Sequence, residues 1–166
     1  MTIGPSNQAA GNPTTVEASL PEILHNANRE AREKDLAFAG TVSPEEAWEL
    51  FNSGDAYLVD VRTAEERKFV GHVSNTLHIA WQTGSALIKN PRFLRELENK
   101  VSGKNAPILL LCRSGKRSAA AATAATAAGF TQVYNVREGF EGDLDDNQQR
   151  GRLSGWRQRG LPWVQD

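Results

Sequence analysis

The run Ile108-Leu109-Leu110-Leu111, set between Pro107 and Cys112, constrains this chain most. Four aliphatic residues bounded by a proline and a polar loop are too few for a buried helix, and they lack the polar alternation of a half-exposed strand. They fit a strand buried on both faces, the kind that parallel sheets contain. Arg113-Ser114-Gly115-Lys116-Arg117-Ser118 follows and leads into Ala119 to Ala128, nearly all alanine, the best helix former. Gly129 stands where a terminating glycine with positive φ belongs. The order is strand, loop, helix, with Cys112 at the first junction.

Ligands of open α/β sheets gather outside the carboxyl ends of the strands, where helix N-termini present unpaired N–H groups to anions. A thiolate is such an anion. The helix end and the cations Arg113, Lys116 and Arg117 favour the ionised form of Cys112 and make it the candidate nucleophile. A free cysteine ending an aliphatic strand is usually a small buried hydrophobe, but that reading leaves the tri-cationic, glycine-containing loop unexplained.

A chain of 166 residues suits one domain with a full core plus a tail. Residues 1–18, rich in Gly, Pro, Asn, Thr and Ala, are expected to be a disordered lead-in. Residues 19–40 form a helical extension and residues 41–166 the compact domain with its C-terminal tail. The net charge is −1, from 19 basic and 20 acidic residues, which gives no overall reason to bind nucleic acid or an anionic membrane. A single cysteine excludes an intramolecular disulfide framework, a Cys-rich metal site and an internal resolving thiol, and suits a reducing compartment. Met1 to Ser19 has neither a basic nor an apolar segment, and no run reaches membrane-spanning length, so the expected location is the cytoplasm.

Ser19-Leu20-Pro21-Glu22 has capping-box spacing, and Ile23, Leu24, Ala27 and Ala31 make a narrow apolar stripe, which predicts a helix to about Asp35. Ser43-Pro44-Glu45-Glu46 starts a second helix, ended by Gly54. Ala56 to Val61 reads as a strand and Thr63-Ala64-Glu65-Glu66 as the start of a third helix. Gly71 to Val73 is a turn, Thr76 to Ile79 a short strand, and Asn90-Pro91 a helix start. Gln132 to Val136 is a strand, Arg137 to Gly142 a loop, and Asp143 to Gln149 a polar acidic stretch. The segment from Gly155 to Trp163 is irregular and held by its tryptophans. Asp60 and Arg62 flank a strand's carboxyl end, a place for active-site groups, although such pairs more often fasten loops. The three histidines, His25, His72 and His78, show no metal-site spacing and read as structural.

Leu58-Val59-Asp60-Val61-Arg62, Glu66, Gly71-His72-Val73, the Cys112 to Ser118 loop, Gly139-Phe140 and Gly155-Trp156 together resemble a single-domain rhodanese, over about Ser43 to Trp163. The resemblance implies a three-layer α/β fold, a mostly parallel central sheet with helices on both faces. It also implies transfer of a sulfane sulfur, from thiosulfate or a similar donor, through a Cys112 persulfide to cyanide or a thiol. Amides of Ser114 to Ser118 would surround the sulfur, while Arg113, Lys116 and Arg117 would attract a small anionic donor. Neither a metal nor an organic cofactor is required. The N-terminal helix and the polar segment 143–154 depart from the family pattern, and the helix is the candidate docking site for a protein acceptor.

Two other readings compete. A cysteine phosphatase or arsenate reductase also combines a thiolate, an anion-cradling loop and a helix N-terminus, but its loop is one residue longer before the arginine. A persulfide carrier or regulatory module would keep Cys112 and show little turnover with small molecules.

Overall fold

The computed structural model describes residues 20–166. The expected lead-in and the Ser19 cap lie outside the described residues. Helix α1 (Leu20–Lys34) precedes β1 (Gly40–Val42), α2 (Pro44–Asn52), β2 (Tyr57–Asp60) and α3 (Ala64–Val70). Then come β3 (Leu77–His78), the short strands β4 (Gln82–Thr83) and β5 (Ile88–Lys89), and α4 (Phe93–Lys100). The chain continues through β6 (Ile108–Leu111), α5 (Lys116–Ala127) and β7 (Val133–Val136).

Local sequence signals account for most of these boundaries. Ser43 Oγ accepts from the Glu46 amide at 3.1 Å while the Glu46 carboxylate accepts from the Ser43 amide at 2.8 Å, so both halves of the capping box at α2 form. Thr63 and Glu66 close the same box on α3. Gly129, at φ +103°, follows the end of α5 as its composition demands. The helix predicted from Asn90-Pro91 begins later, at Phe93. Asn90 Oδ1 instead accepts from the Arg92 amide at 3.0 Å, which spends the asparagine on a turn ahead of the helix.

Among the described residues five strands form one sheet in the order β1-β7-β6-β2-β3, parallel throughout. The pair β4-β5 makes a separate antiparallel ribbon that the sequence reading did not anticipate. Its residues are mostly exposed, so no burial pattern announces it.

Strand β6 lies in the middle, and all four of its residues are buried. Because neighbouring side chains of a strand point to opposite faces, Ile108, Leu110 and Cys112 join Phe93 and Leu97 of α4 and the alanine face of α5. Leu109 and Leu111 join Ile23 and Ala27 of α1, Ala47 and Leu50 of α2, and the irregular C-terminal segment through Trp156. This is a three-layer α/β arrangement with helices on both faces. Helix α1 is packed closely: a Cβ at Gly40 would stand 2.6 Å from the Ala27 carbonyl oxygen, and Tyr134 donates its hydroxyl to Asn28 Oδ1 at 2.8 Å.

Candidate active site

Cys112 follows β6 immediately and is 1 % exposed. Among the described residues its sulfur has two hydrogen-bond partners. The Gly115 amide donates to Sγ at 3.1 Å, and Ser118 Oγ lies 3.2 Å away. The loop can turn back on its own sulfur because Gly115 adopts φ +101°, which L side chains rarely take up. Gly115 is also the residue before α5, so the sulfur sits at that helix's N-terminus, where unpaired amides and the macrodipole favour negative charge.

The three loop cations have separate surroundings. Arg113 and Lys116 are exposed. Arg117 turns away to Glu66 of α3, with bonds of 2.7 and 2.9 Å to its two carboxylate oxygens. Those bonds raise the guanidinium above its ordinary value; burial opposes them, and the Glu66, Cys112 and Asp60 charges add to the rise. Burial pushes the Glu66 carboxyl up, but the bonds and charge of Arg117, with the Thr63 amide, outweigh it and hold the group below the usual carboxylate range.

Behind the loop, Asp60 and Arg62 are fully buried and paired by bonds of 3.0 and 2.8 Å. Arg67 adds a third contact to Asp60 at 2.9 Å. Burial raises the Asp60 carboxyl, and the two arginines lower it further than burial raises it. Arg62 also donates to the Gly71 carbonyl at 2.7 Å and lies 4.3 Å over the Phe140 ring. This pair ties the end of β2 to the turn after α3 and to the loop after β7.

The loop after β7 presses on the backbone of Cys112 and Arg113. The Phe140 amide donates to the Cys112 carbonyl at 2.8 Å, and the Glu141 amide to the Arg113 carbonyl at 2.9 Å. Only a glycine fits at position 139, since a Cβ there would be 2.5 Å from the Arg113 carbonyl. Glu138 and Arg159 clamp the far side of that loop.

Two polar residues near Cys112 were not singled out as site residues from sequence. In the sequence Glu66 is a capping residue and one of the positions that carry the family resemblance, with no site role given to it; one of its oxygens serves both Thr63 and Arg117. Asn135 read as part of a strand, yet it is a buried amide that accepts from Ser118 and donates to the Gly115 carbonyl. A polar residue inside the otherwise apolar run of β7 is the signal that could have found it, because buried polar groups are paired.

None of the histidines reaches the sulfur. His25 is exposed, His72 is bridged through its backbone to Val164, and His78 places Nε2 2.8 Å from the Arg62 carbonyl. Among the described residues no group of three or more His, Cys, Asp or Glu is placed to hold a metal ion, and no helix is long and apolar enough to cross a membrane. A groove of about 560 Å³ lined by Phe51, Tyr57, Leu77, Ser102 and Pro107 opens at the amino ends of the strands, opposite Cys112, which is not among its lining residues.

The sequence profile of the family described as "Rhodanese-like domain" matches residues 43–145. The "Uncharacterized protein RP600 homolog" of Rickettsia rickettsii is 40 % identical over 119 residues, covering 69 % of this chain and 87 % of its own. The "Thiosulfate sulfurtransferase 16, chloroplastic" of Arabidopsis thaliana is 33 % identical over 124 residues, 74 % of this chain and 90 % of its own. Among solved structures, Rv0390 from M. tuberculosis superposes with a TM-score of 0.70 at 43 % identity, covering 78 % of this chain and 99 % of its own. With a family match over more than half its length and the parallel three-layer fold around Cys112, the chain belongs to the rhodanese-like family.

Proposed function

We propose that the protein is a sulfurtransferase that moves a sulfane sulfur from thiosulfate, or a similar small anionic donor, through a persulfide on Cys112 to cyanide or a thiol acceptor. The observation that carries this reading is the sulfur's position: a lone thiol at the N-terminus of α5, receiving the Gly115 amide at 3.1 Å, with two exposed cations on the same loop. The thiosulfate sulfurtransferase among its relatives supports the choice of donor.

In the first step the Cys112 thiolate attacks the outer sulfur of thiosulfate. A bond forms between Sγ and that sulfur, the S–S bond of thiosulfate breaks, and sulfite leaves with the bonding electrons. Arg113 and Lys116 draw in the dianion and stabilise the departing one. In the second step cyanide or a thiolate attacks the outer sulfur of the persulfide, and the Cys112 thiolate departs. Fixed dipoles and charge suffice, and the thiol's own ionisation replaces a general base. A reducing compartment such as the cytoplasm suits this chemistry.

The arginine speaks against phosphoryl transfer. Four residues separate Cys112 from Arg117, and Arg117 is engaged by both oxygens of Glu66 rather than free to grip an oxyanion. The test uses one preparation. Thiosulfate should add the mass of one sulfur atom to the intact protein, Cys112→Ser should abolish the addition, and thiocyanate should form with cyanide. Faster turnover of an activated aryl phosphate, lost in Cys112→Ser, would overturn the reading.

A further inference from the structure

Asn135 in β7 is 8 % exposed and lies between the loop and Ser118. Its Nδ2 donates to the Gly115 carbonyl at 3.2 Å, which fixes the other end of the amide toward Ser118. Ser118 Oγ is 2.5 Å from Asn135 Oδ1. A carbonyl oxygen only accepts, so the single hydroxyl hydrogen of Ser118 is committed to Asn135. The same Oγ lies 3.2 Å from Cys112 Sγ, and with its hydrogen in use it can only accept there. The matching donor is the S–H of a neutral thiol.

We propose that Asn135 is a positioning residue that, by holding the Ser118 hydrogen, disfavours the bare Cys112 thiolate relative to a sulfur already bonded to a proton or to a second sulfur. When the thiol gives its proton to solvent, the thiolate gains the Ser118 hydrogen only if that hydrogen leaves Oδ1. The amide oxygen is then buried without a donor. If the hydrogen stays, the thiolate keeps the Gly115 amide and loses the hydroxyl. A persulfide carries its charge on the outer sulfur, so its inner sulfur needs no donor from Ser118. Asn135 therefore restrains the empty enzyme and spares the loaded one. That purpose rests on the sulfurtransferase reading, whereas the hydrogen switch belongs to the bare protein and is read without any sulfur donor.

The charged groups on the surrounding elements are Arg113 and Lys116 of the loop, Arg117 with Glu66, the Asp60–Arg62 pair, and Arg137 and Glu138 after β7 with Arg159. On the α4 side the sulfur's cluster holds the uncharged Phe93 and Leu97. None of these charges is a link between Asn135, Ser118 and Cys112, and all are common to the variants below.

The experiment measures alkylation of Cys112 by iodoacetamide across pH, the thiolate forming the C–S bond as iodide leaves, with intact mass as the readout. Asn135→Leu, close in size and without an acceptor, releases the Ser118 hydrogen to the sulfur and should move the midpoint down by about one pH unit. Asn135→Ala is read beside it, so that poor packing of one variant does not decide the result. In a Ser118→Ala background the shift should vanish, because no hydrogen remains to be released. The absence of a downward shift in both single variants, or a shift of equal size in the Ser118→Ala background, overturns the proposal. Uptake of sulfur from thiosulfate is scored separately, so a shift without uptake rejects the donor and keeps the switch.

Discussion

Glu66 holds Arg117 by both carboxylate oxygens across the gap between α3 and α5, and thereby fixes the last cation of the Cys112 loop. Both side chains are less than one-fifth exposed, so solvent screens the pair only partly. Glu66→Gln keeps a side chain able to cap α3 and removes the charge. Stability should fall by about 2 kcal/mol, and kcat/KM for thiosulfate should fall about tenfold as the loop loses its anchor. Urea unfolding and steady-state assays of the same protein check both numbers.

Lys116 is exposed, so on the proposed function its charge would act through solvent on an arriving anionic donor. Lys116→Glu should weaken use of thiosulfate several-fold at low salt and shift alkylation of Cys112 to higher pH, since it puts an anion in place of a cation on the path of an anionic donor and near a sulfur that must ionise to react. The difference in thiosulfate use should shrink as salt is raised. An effect that ignores ionic strength would place the lysine in direct contact with the donor.

Asp60 and Glu66 are both held below their ordinary carboxylate values in the folded chain. A lowered folded value means stability that is present above the unfolded value and lost as pH falls toward the folded one. Resistance to urea should therefore decline as pH drops below about 4. Asp60→Asn should cost about 3–5 kcal/mol at neutral pH, because Arg62 then lies buried beside a neutral amide. The same variant should show a flatter acid limb, and an unchanged limb would assign the acid sensitivity to other groups.

Gly139→Ala places a methyl group within 2.6 Å of the Cys112 and Arg113 carbonyls at a residue with φ +67°. Backbone cannot yield there as a flexible side chain could. The variant should lose about 2 kcal/mol or more and show slower transfer, because the displaced atoms belong to the nucleophile's own segment. Thermal melts and single-turnover persulfide formation would separate the two effects.

Removing residues 1–36 should leave a chain that folds with reduced stability, by about 3–5 kcal/mol from the apolar surface that Ile23, Ala27 and Ala31 cover. Small-donor transfer should persist, since Cys112 and its contacts lie on other elements. Loss of cooperative unfolding would show that α1 completes the core.

The strand, the loop and the alanine helix around Cys112 were legible because each is fixed by neighbours in sequence: an aliphatic run, a glycine able to take positive φ, and a run of strong helix formers. The same holds for the capping boxes at Ser43 and Thr63. Glu66 and Asn135 were not legible as site residues because their partners arrive through the fold. Glu66 meets Arg117 from 51 residues away, and Ser118 meets Asn135 from the next strand, 17 residues on. The hydrophobic pattern predicted a sheet but did not specify which loop would close over the cysteine. Gly139 and Phe140 acquire that role only when β7 lies beside β6. The β4-β5 ribbon escaped notice for a different reason, since its surface residues follow neither a period of two nor one of 3.6.

The central position of β6 has a kinetic consequence. Its neighbours are β2, which the chain completes long before it, and β7, which it completes only after α5, so the Cys112 cradle cannot exist until both pairings have closed. Non-local pairings of this kind are slow to form. A nascent or refolding chain should therefore expose an ordinary cysteine and acquire the folded protein's own Cys112 alkylation rate in a single late step. The time course of alkylation during refolding would then report when the sheet is finished, without any added label.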